Sequence, residues 1–160
     1  MHFLKAITIT ITSILATAAA APTTTTTENP THVETIMKRN HEDKCGVSTF
    51  ENKSSAASPW VIDCQHLIYN IRKGGTWALH AGKHRELAQY GSCAFDAQSV
   101  DGILDIWIGN GDIIDVVRDS ISRFQTEDGK VGARGIFECR GIEVGGDGWT
   151  PVEWGLYATR

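Results

Sequence analysis

The sequence predicts an α+β domain: a mainly antiparallel sheet with two helices packed on one face, an α/β sandwich closed by two disulfides. Three observations lead there. Short extended runs recur at hairpin spacing after residue 45, two stretches carry apolar residues at intervals of three and four, and the four cysteines all lie beyond residue 44.

Cys45 to Phe50 has strand-like content and ends at Asn52-Lys53-Ser54, the usable glycosylation sequon, because Pro30 blocks the one at Asn29. An occupied Asn52 has to be exposed. Ser58-Pro59 reads as a helix start, with Ser58 as N-cap and Pro59 at the first helical position. Val61, Cys64, Leu67, Ile68 and Ile71 form the apolar stripe of that helix, which Gly74-Gly75 ends. Thr76 to His80 alternates and, after a polar turn through Gly82, Lys83 and His84, is expected to pair as a hairpin with a run from Leu87 to Phe95. Ile103 to Ile108 puts Leu104, Ile106 and Ile108 on one side and Asp105 and Trp107 on the other, and Gly109-Asn110-Gly111 breaks it. Asp112 then caps the clearest helix, with Ile113, Ile114, Val117, Ile121 and Phe124 opposite Arg118, Asp119 and Arg123. Val131 to Cys139 and Val152 to Ala158 read as strands around the loop Gly145-Gly146-Asp147-Gly148. The expected order is strand, helix, three strands, helix, two strands.

Cys45, Cys64, Cys93 and Cys139 are even in number and lack the close spacing of a zinc site, so in an oxidising compartment they form two disulfides. Three connectivities are open. Cys64 with Cys93 and Cys45 with Cys139 is the preferred set, the second bridge tying the start of the domain to a late strand. Each contributes about 2 to 4 kcal/mol.

The front of the chain has a different character. His2 and Lys5 precede an apolar stretch from Ala6 to Ala16 and the run Ala18 to Ala21, the pattern of a signal peptide over residues 1–20. The alternation of Ile7, Ile9 and Ile11 with threonines also suits a buried strand, but the position at the chain start favours export. Residues 21–39 are Thr-rich and polar, a pro-segment or linker that buries too little apolar surface to offset its ordering entropy. It ends at Lys38-Arg39, a dibasic step suited to a secretory processing protease. Residues 40–160 are then the working domain, secreted and extracellular. Removing three cations and two anions with the front segment takes the formal net charge from −4 to −5. That balance has no long-range pull on nucleic acid or anionic lipid, and no second apolar stretch reaches membrane-spanning length. A monomer is expected.

The sequence gives little support to an enzyme. His80 and His84 facing each other across a turn lack a third metal ligand, and solvated histidines are the simpler reading. Asp112, Asp115 and Asp119 share one helical side, where capping and solvation outweigh a calcium or acid–base role. Ser48, Ser92 and Ser120 lack the turn of a serine nucleophile. Asn110-Gly111-Asp112 resembles an anion-binding helix start that Asp112 would spoil. No catalytic residue, cofactor or metal is therefore expected. Binding fares better, because five tryptophans are many for this length and exposed rings stack on sugar or contact protein. Trp107 and Trp149 are the expected ligand-binding pair; Trp60, Trp77 and Trp154 are expected in the core.

These segments resemble a fungal effector domain named for homologues of a Cladosporium extracellular protein, also called the necrosis-inducing factor domain. The resemblance runs through Cys45 to Asn52, Ser58-Pro59, Asp63-Cys64, Gly75-Thr76-Trp77, Tyr90-Gly91-Ser92-Cys93-Ala94-Phe95, Gly109 to Asp115, Val131 to Gly135 and Trp154-Gly155-Leu156-Tyr157. It implies a secreted virulence factor, toxin-like, that binds a cell-surface or wall component of a host plant or competitor and is associated with plant cell necrosis. It also implies two alternatives, an antimicrobial protein similar to yeast killer toxins and a chitin- or glycan-binding module. It carries over no catalytic residues.

Overall fold

Seven strands and two helices alternate in the order β1, α1, β2 to β5, α2, β6, β7 among the residues that the computed structural model describes, 41–100, 105–141 and 148–159. The proposed signal peptide, the pro-segment, Lys38-Arg39 and the loop at Gly145-Gly146-Asp147 lie outside the described residues. Strands β1 (Glu51–Asn52), β6 (Ala133–Arg140), β7 (Trp149–Ala158), β4 (Cys93–Ser99) and β3 (His84–Tyr90) form one antiparallel sheet in the order β1-β6-β7-β4-β3. Strands β2 (Thr76–Leu79) and β5 (Ile106–Gly109) make a second, two-stranded sheet.

Side-chain alternation gives the large sheet two different faces. Cys93, Phe95 and Ala97 of β4 share one face with Leu156, Trp154 and Val152 of β7 and Ala133, Phe137 and Cys139 of β6. These residues are buried in one cluster with Val61, Cys64 and Leu67 of α1 (Val61–Ile71) and Ile113, Val116 and Val117 of α2 (Asn110–Phe124). Trp154 is its largest member: it stacks on Phe95 at 6.0 Å, meets Phe50 edge-on at 5.4 Å, and donates from Nε1 to Ser48 Oγ at 2.7 Å. Both helices thus cover one face, as the sequence predicts. The other face carries Glu51, Arg134, Glu138, Arg140, Trp149, Glu153, Tyr157, Asp96, Gln98, His84 and Glu86 by register and is polar.

The disulfides are Cys45–Cys139 and Cys64–Cys93, the preferred of the three pairings. Residues 45 to 50, expected as a strand, instead run along β6 as an irregular edge that leads into β1, with Gly46 N donating to Glu138 O at 2.7 Å and Thr49 N to Ile136 O at 2.8 Å.

Four expectations need correction. The predicted pairing of Thr76–His80 with Leu87–Phe95 does not form: β2 pairs with β5, and β3 pairs with β4. The reason is Gly91, whose φ of 53° places a tight turn inside the run read as one strand. Four strands, not three, therefore separate the helices. Ser58 does not cap α1. Its hydroxyl accepts from Ser55 N at 2.9 Å and donates to Lys53 O at 3.3 Å, and the helix begins at Val61, whose N–H is satisfied by Gly129 O at 2.9 Å. Gly109 is the N-cap of α2, and Asp112 sits three residues further on, reaching back to Gly109 N at 2.8 Å. β5 does end at Gly109, as expected, but α2 begins on the next residue, so Asn110 and Gly111 lie in the helix and not in a separate turn.

Candidate functional site

Trp107 and Trp149 are exposed, at 40% and 48% of their surface. They belong to different sheets. Trp107 lies on β5 opposite Ala78, beside Glu42 and Lys44, whereas Trp149 begins β7 on the polar face of the large sheet with the Arg140 guanidinium 5.4 Å from its ring. Trp154 is buried and Trp77 packs against the core, as expected, but Trp60 is 47% exposed. The shift of the helix start accounts for this: Trp60 becomes the N-cap and is turned outward, with Lys130 Nζ 3.4 Å from its ring centre.

Trp60 belongs to a larger group that the sequence reading missed. Ile62, His66 and Tyr69 recur at spacings of four and three on the outward side of α1, and Tyr90 stands beside them at the β3–β4 turn, its ring stacked on His66 at 5.0 Å. Ile62, Tyr69 and Tyr90 are exposed at 57%, 56% and 40%. The signal was present in the same periodicity that marked the buried stripe, one position out of phase.

What distinguishes this group is how it is fixed. Asp63 accepts from Ser92 N at 2.8 Å and from Ser92 Oγ at 2.6 Å, and Ser92 Oγ in turn accepts from Trp60 N at 2.9 Å. The two Ser92 hydrogen bonds hold the Asp63 carboxyl below the usual range. Cys64–Cys93 welds the adjacent residues. A Cβ on Gly91 would lie 2.6 Å from the Asp63 carboxyl carbon, so glycine permits both the left-handed turn and the close approach. One helix turn and one hairpin turn are thereby locked together, and the aromatic rings at their surface keep a set geometry.

Three further groups contain ionisable chemistry. Asp112 is buried and accepts from the backbone N–H of Lys44, Cys45 and Gly109 at 3.0, 3.1 and 2.8 Å; burial pushes its carboxyl up, and the three donors oppose that. It is a structural hub that ties residues 44 and 45 to α2. His41, Asp43 and Asp115 bring metal-capable atoms within 4.8 Å of one another, but both carboxylates are exposed and no metal is assigned to them. His80 and His84 do not share a site: His80 Nδ1 lies 2.9 Å from Asp105 and His84 Nε2 lies 2.5 Å from Asp96. Asp119 pairs with Arg123 on the surface of α2. Ser48, Ser92 and Ser120 are engaged with backbone or with Asp63, Ser120 donating to Val116 O at 2.6 Å. Asn52 is exposed and accepts from Ser54 N at 2.8 Å. Among the described residues no helix is long and apolar enough to cross a membrane.

A family described as "Pathogen effector; putative necrosis-inducing factor", named Hce2, matches residues 44–139, a span that contains all four cysteines and the Asp63–Ser92 clamp. Two proteins of Penicillium expansum are also similar. "Probable chitinase LysM18" is 38% identical over 117 residues, 71% of this chain, and "Secreted chitinase LysM12" is 26% identical over 97 residues, 59% of this chain. The chain spans only 8% and 6% of the lengths of these relatives. Effector-family membership, two disulfides and a relative named as secreted all point to an extracellular protein. The chain belongs to the Hce2 family of pathogen effectors.

Proposed function

We propose that this protein is a secreted effector that acts by binding a surface component of a host plant or competing organism, not by turning over a substrate, and that plant cell necrosis is one outcome. The observation behind this reading is the exposed group of Trp60, Ile62, Tyr69 and Tyr90, held by the Asp63–Ser92 hydrogen bonds and Cys64–Cys93. Aromatic side chains that are exposed yet already ordered lose little entropy on binding and carry much of the energy of typical interfaces. The test is infiltration of the purified secreted protein into leaves beside the Trp60→Ala, Tyr90→Ala double variant. The wild type is expected to cause necrosis, and the variant to stay folded and lose the response. A full response from the variant would remove this surface from the account. Growth inhibition of competing microbes with no plant response would instead support the killer-toxin-like reading.

A second reading, a chitin- or glycan-binding module, is supported by the occurrence of the similar segment within proteins named chitinases. Its surface is Trp107 and Trp149. Pull-down on insoluble chitin tests it: retention that is lost in a Trp107→Ala, Trp149→Ala double variant supports it, and wild-type protein left in the supernatant removes it.

A further inference from the structure

Neither reading uses Asn52-Lys53-Ser54, whose two working side chains are held in opposite ways. Asn52 lies in β1, an outermost strand of the large sheet, and is exposed. Its Oδ1 accepts from Ser54 N at 2.8 Å, an Asx turn that folds the side chain over the motif. Among the described residues no acceptor meets Asn52 Nδ2, the nitrogen that an N-linked sugar occupies. Ser54 is half-buried, and its hydroxyl is engaged twice. It donates to Phe124 O at 2.7 Å, at the end of α2, and accepts from Gly132 N at 2.9 Å, just before β6. The packing is tight there: a Cβ on Gly132 would lie 2.8 Å from Lys53 O and 2.8 Å from Ser58 Oγ. Both partners of the Ser54 hydroxyl come late in the chain, 70 and 78 residues further on.

We propose that Asn52 carries an N-linked glycan that is attached before the domain closes and that the folded chain no longer accepts. The sugar donor is a lipid-linked oligosaccharide diphosphate of the secretory route. Asn52 Nδ2 bonds to C1 of the reducing-end sugar, the bond from C1 to the diphosphate oxygen breaks, the lipid diphosphate leaves with the electron pair, and the amide gives up one proton. Recognition of the motif needs the hydroxyl two residues beyond the asparagine. In the folded chain that hydroxyl has committed its proton to Phe124 O and a lone pair to Gly132 N. In a chain still being made neither partner exists yet, so Ser54 is available as the motif emerges. Folding then withdraws Ser54 but leaves Asn52 in solvent, where a glycan already attached is accommodated. β1 and β3 are the two margins of the large sheet with three strands between them, about 19 Å apart at the usual spacing, so the glycan is remote from Tyr90. The proposal rests on export and not on the aromatic group of α1.

The test has two arms. In the first, the full chain is expressed in yeast and collected from the medium. Peptide N-glycosidase in heavy-oxygen water is expected to lower its mass and leave a labelled aspartate at position 52, and Asn52→Gln and Ser54→Ala are each expected to abolish the mass shift. Asn52 is exposed, so its variant keeps this arm valid even if Ser54→Ala disturbs folding. In the second, unglycosylated chain from the oxidising bacterial periplasm, either folded with both disulfides or reduced and alkylated, is presented to microsomes with the lipid-linked donor. The reduced chain is expected to be modified at least about tenfold faster, because opening the folded motif breaks two hydrogen bonds at once. Secreted chain with Asn52 unmodified would overturn the site. Equal rates for the folded and reduced chains would overturn the order of attachment and folding.

Discussion

Removing the two disulfides one at a time should separate stability from function. Cys45–Cys139 closes a sequence separation of 94 residues and Cys64–Cys93 one of 29, for which the loop-entropy relation gives about 4.7 and about 3.6 kcal/mol. The Cys45→Ala, Cys139→Ala variant should therefore be the less stable by about 1 kcal/mol. The functional order should be the reverse. Cys64–Cys93 joins the helix turn that carries Asp63 to the hairpin turn that carries Ser92, so its loss loosens Trp60 and Tyr90 directly. Cys45–Cys139 anchors the edge beside β6, and its loss leaves the Asp63–Ser92 bonds in place.

Urea unfolding measures the first order, and hydrogen exchange at the Ser92 amide with leaf infiltration measures the second. The Cys64→Ala, Cys93→Ala protein should exchange its Ser92 proton faster and lose the response while the bulk of the chain stays folded. The other variant should keep slow exchange and activity up to its lower unfolding midpoint. If both variants lose Ser92 protection together, the two turns are not an independent unit and the reasoning fails. If the short-loop variant is the less stable by more than the extrapolation error, native packing of Cys64 outweighs chain entropy.

Gly91→Ala places a Cβ at a φ of 53° and 2.6 Å from the Asp63 carboxyl carbon, so it should cost about 2 to 3 kcal/mol in urea unfolding and speed Ser92 exchange; an unchanged midpoint contradicts the clamp. Asp112→Ala strips the acceptor from the N–H groups of Lys44, Cys45 and Gly109 and should cost about 3 kcal/mol, with Asp112→Asn losing less. Equal losses for the two would mean that charge, not hydrogen bonding, is what the site requires. Burial holds the Asp96 carboxyl above its ordinary value in spite of His84, so the folded state binds a proton that the unfolded state has released. Stability of the wild type relative to Asp96→Asn should therefore fall as pH rises from the ordinary carboxylate value of about 3.9 through the raised one, and stay level above it. A relative gain over that range in urea midpoints would reverse the sign and exclude burial as the dominant effect.

The parts of the fold legible in the sequence were those set by repetition along one element. The stripe of α2 and the alternation of Ile106 and Ile108 against Trp107 appear in the structure as read, because burial on one side is a local pattern. Boundaries were lost where distant chain supplies the partner. Nothing near Ser58 reveals that Lys53 O and Ser55 N will occupy its hydroxyl, or that Gly129 O will meet Val61 N. The pairing of β2 with β5 is likewise decided by the turn at Gly91, which a run of extended-looking residues conceals.

The candidate surface was hidden for the same reason. Exposure of Trp60 follows from where α1 begins, and that start is fixed from across the molecule. Its neighbours Ile62 and Tyr69 were visible only as residues that failed to fit the buried stripe. Yet Asp63-Cys64 and Tyr90-Gly91-Ser92-Cys93, two of the motifs on which the family resemblance rests, prove to be the two halves of one clamp. A disulfide alone would stabilise the core with any residues around it. Adding an acid that grips the adjacent turn, a glycine that admits the acid and a serine that passes the bond on to the Trp60 backbone stiffens a stretch of surface instead. That expenditure of sequence on surface order, where a small domain needs it least for folding, is the physical reason to place recognition there.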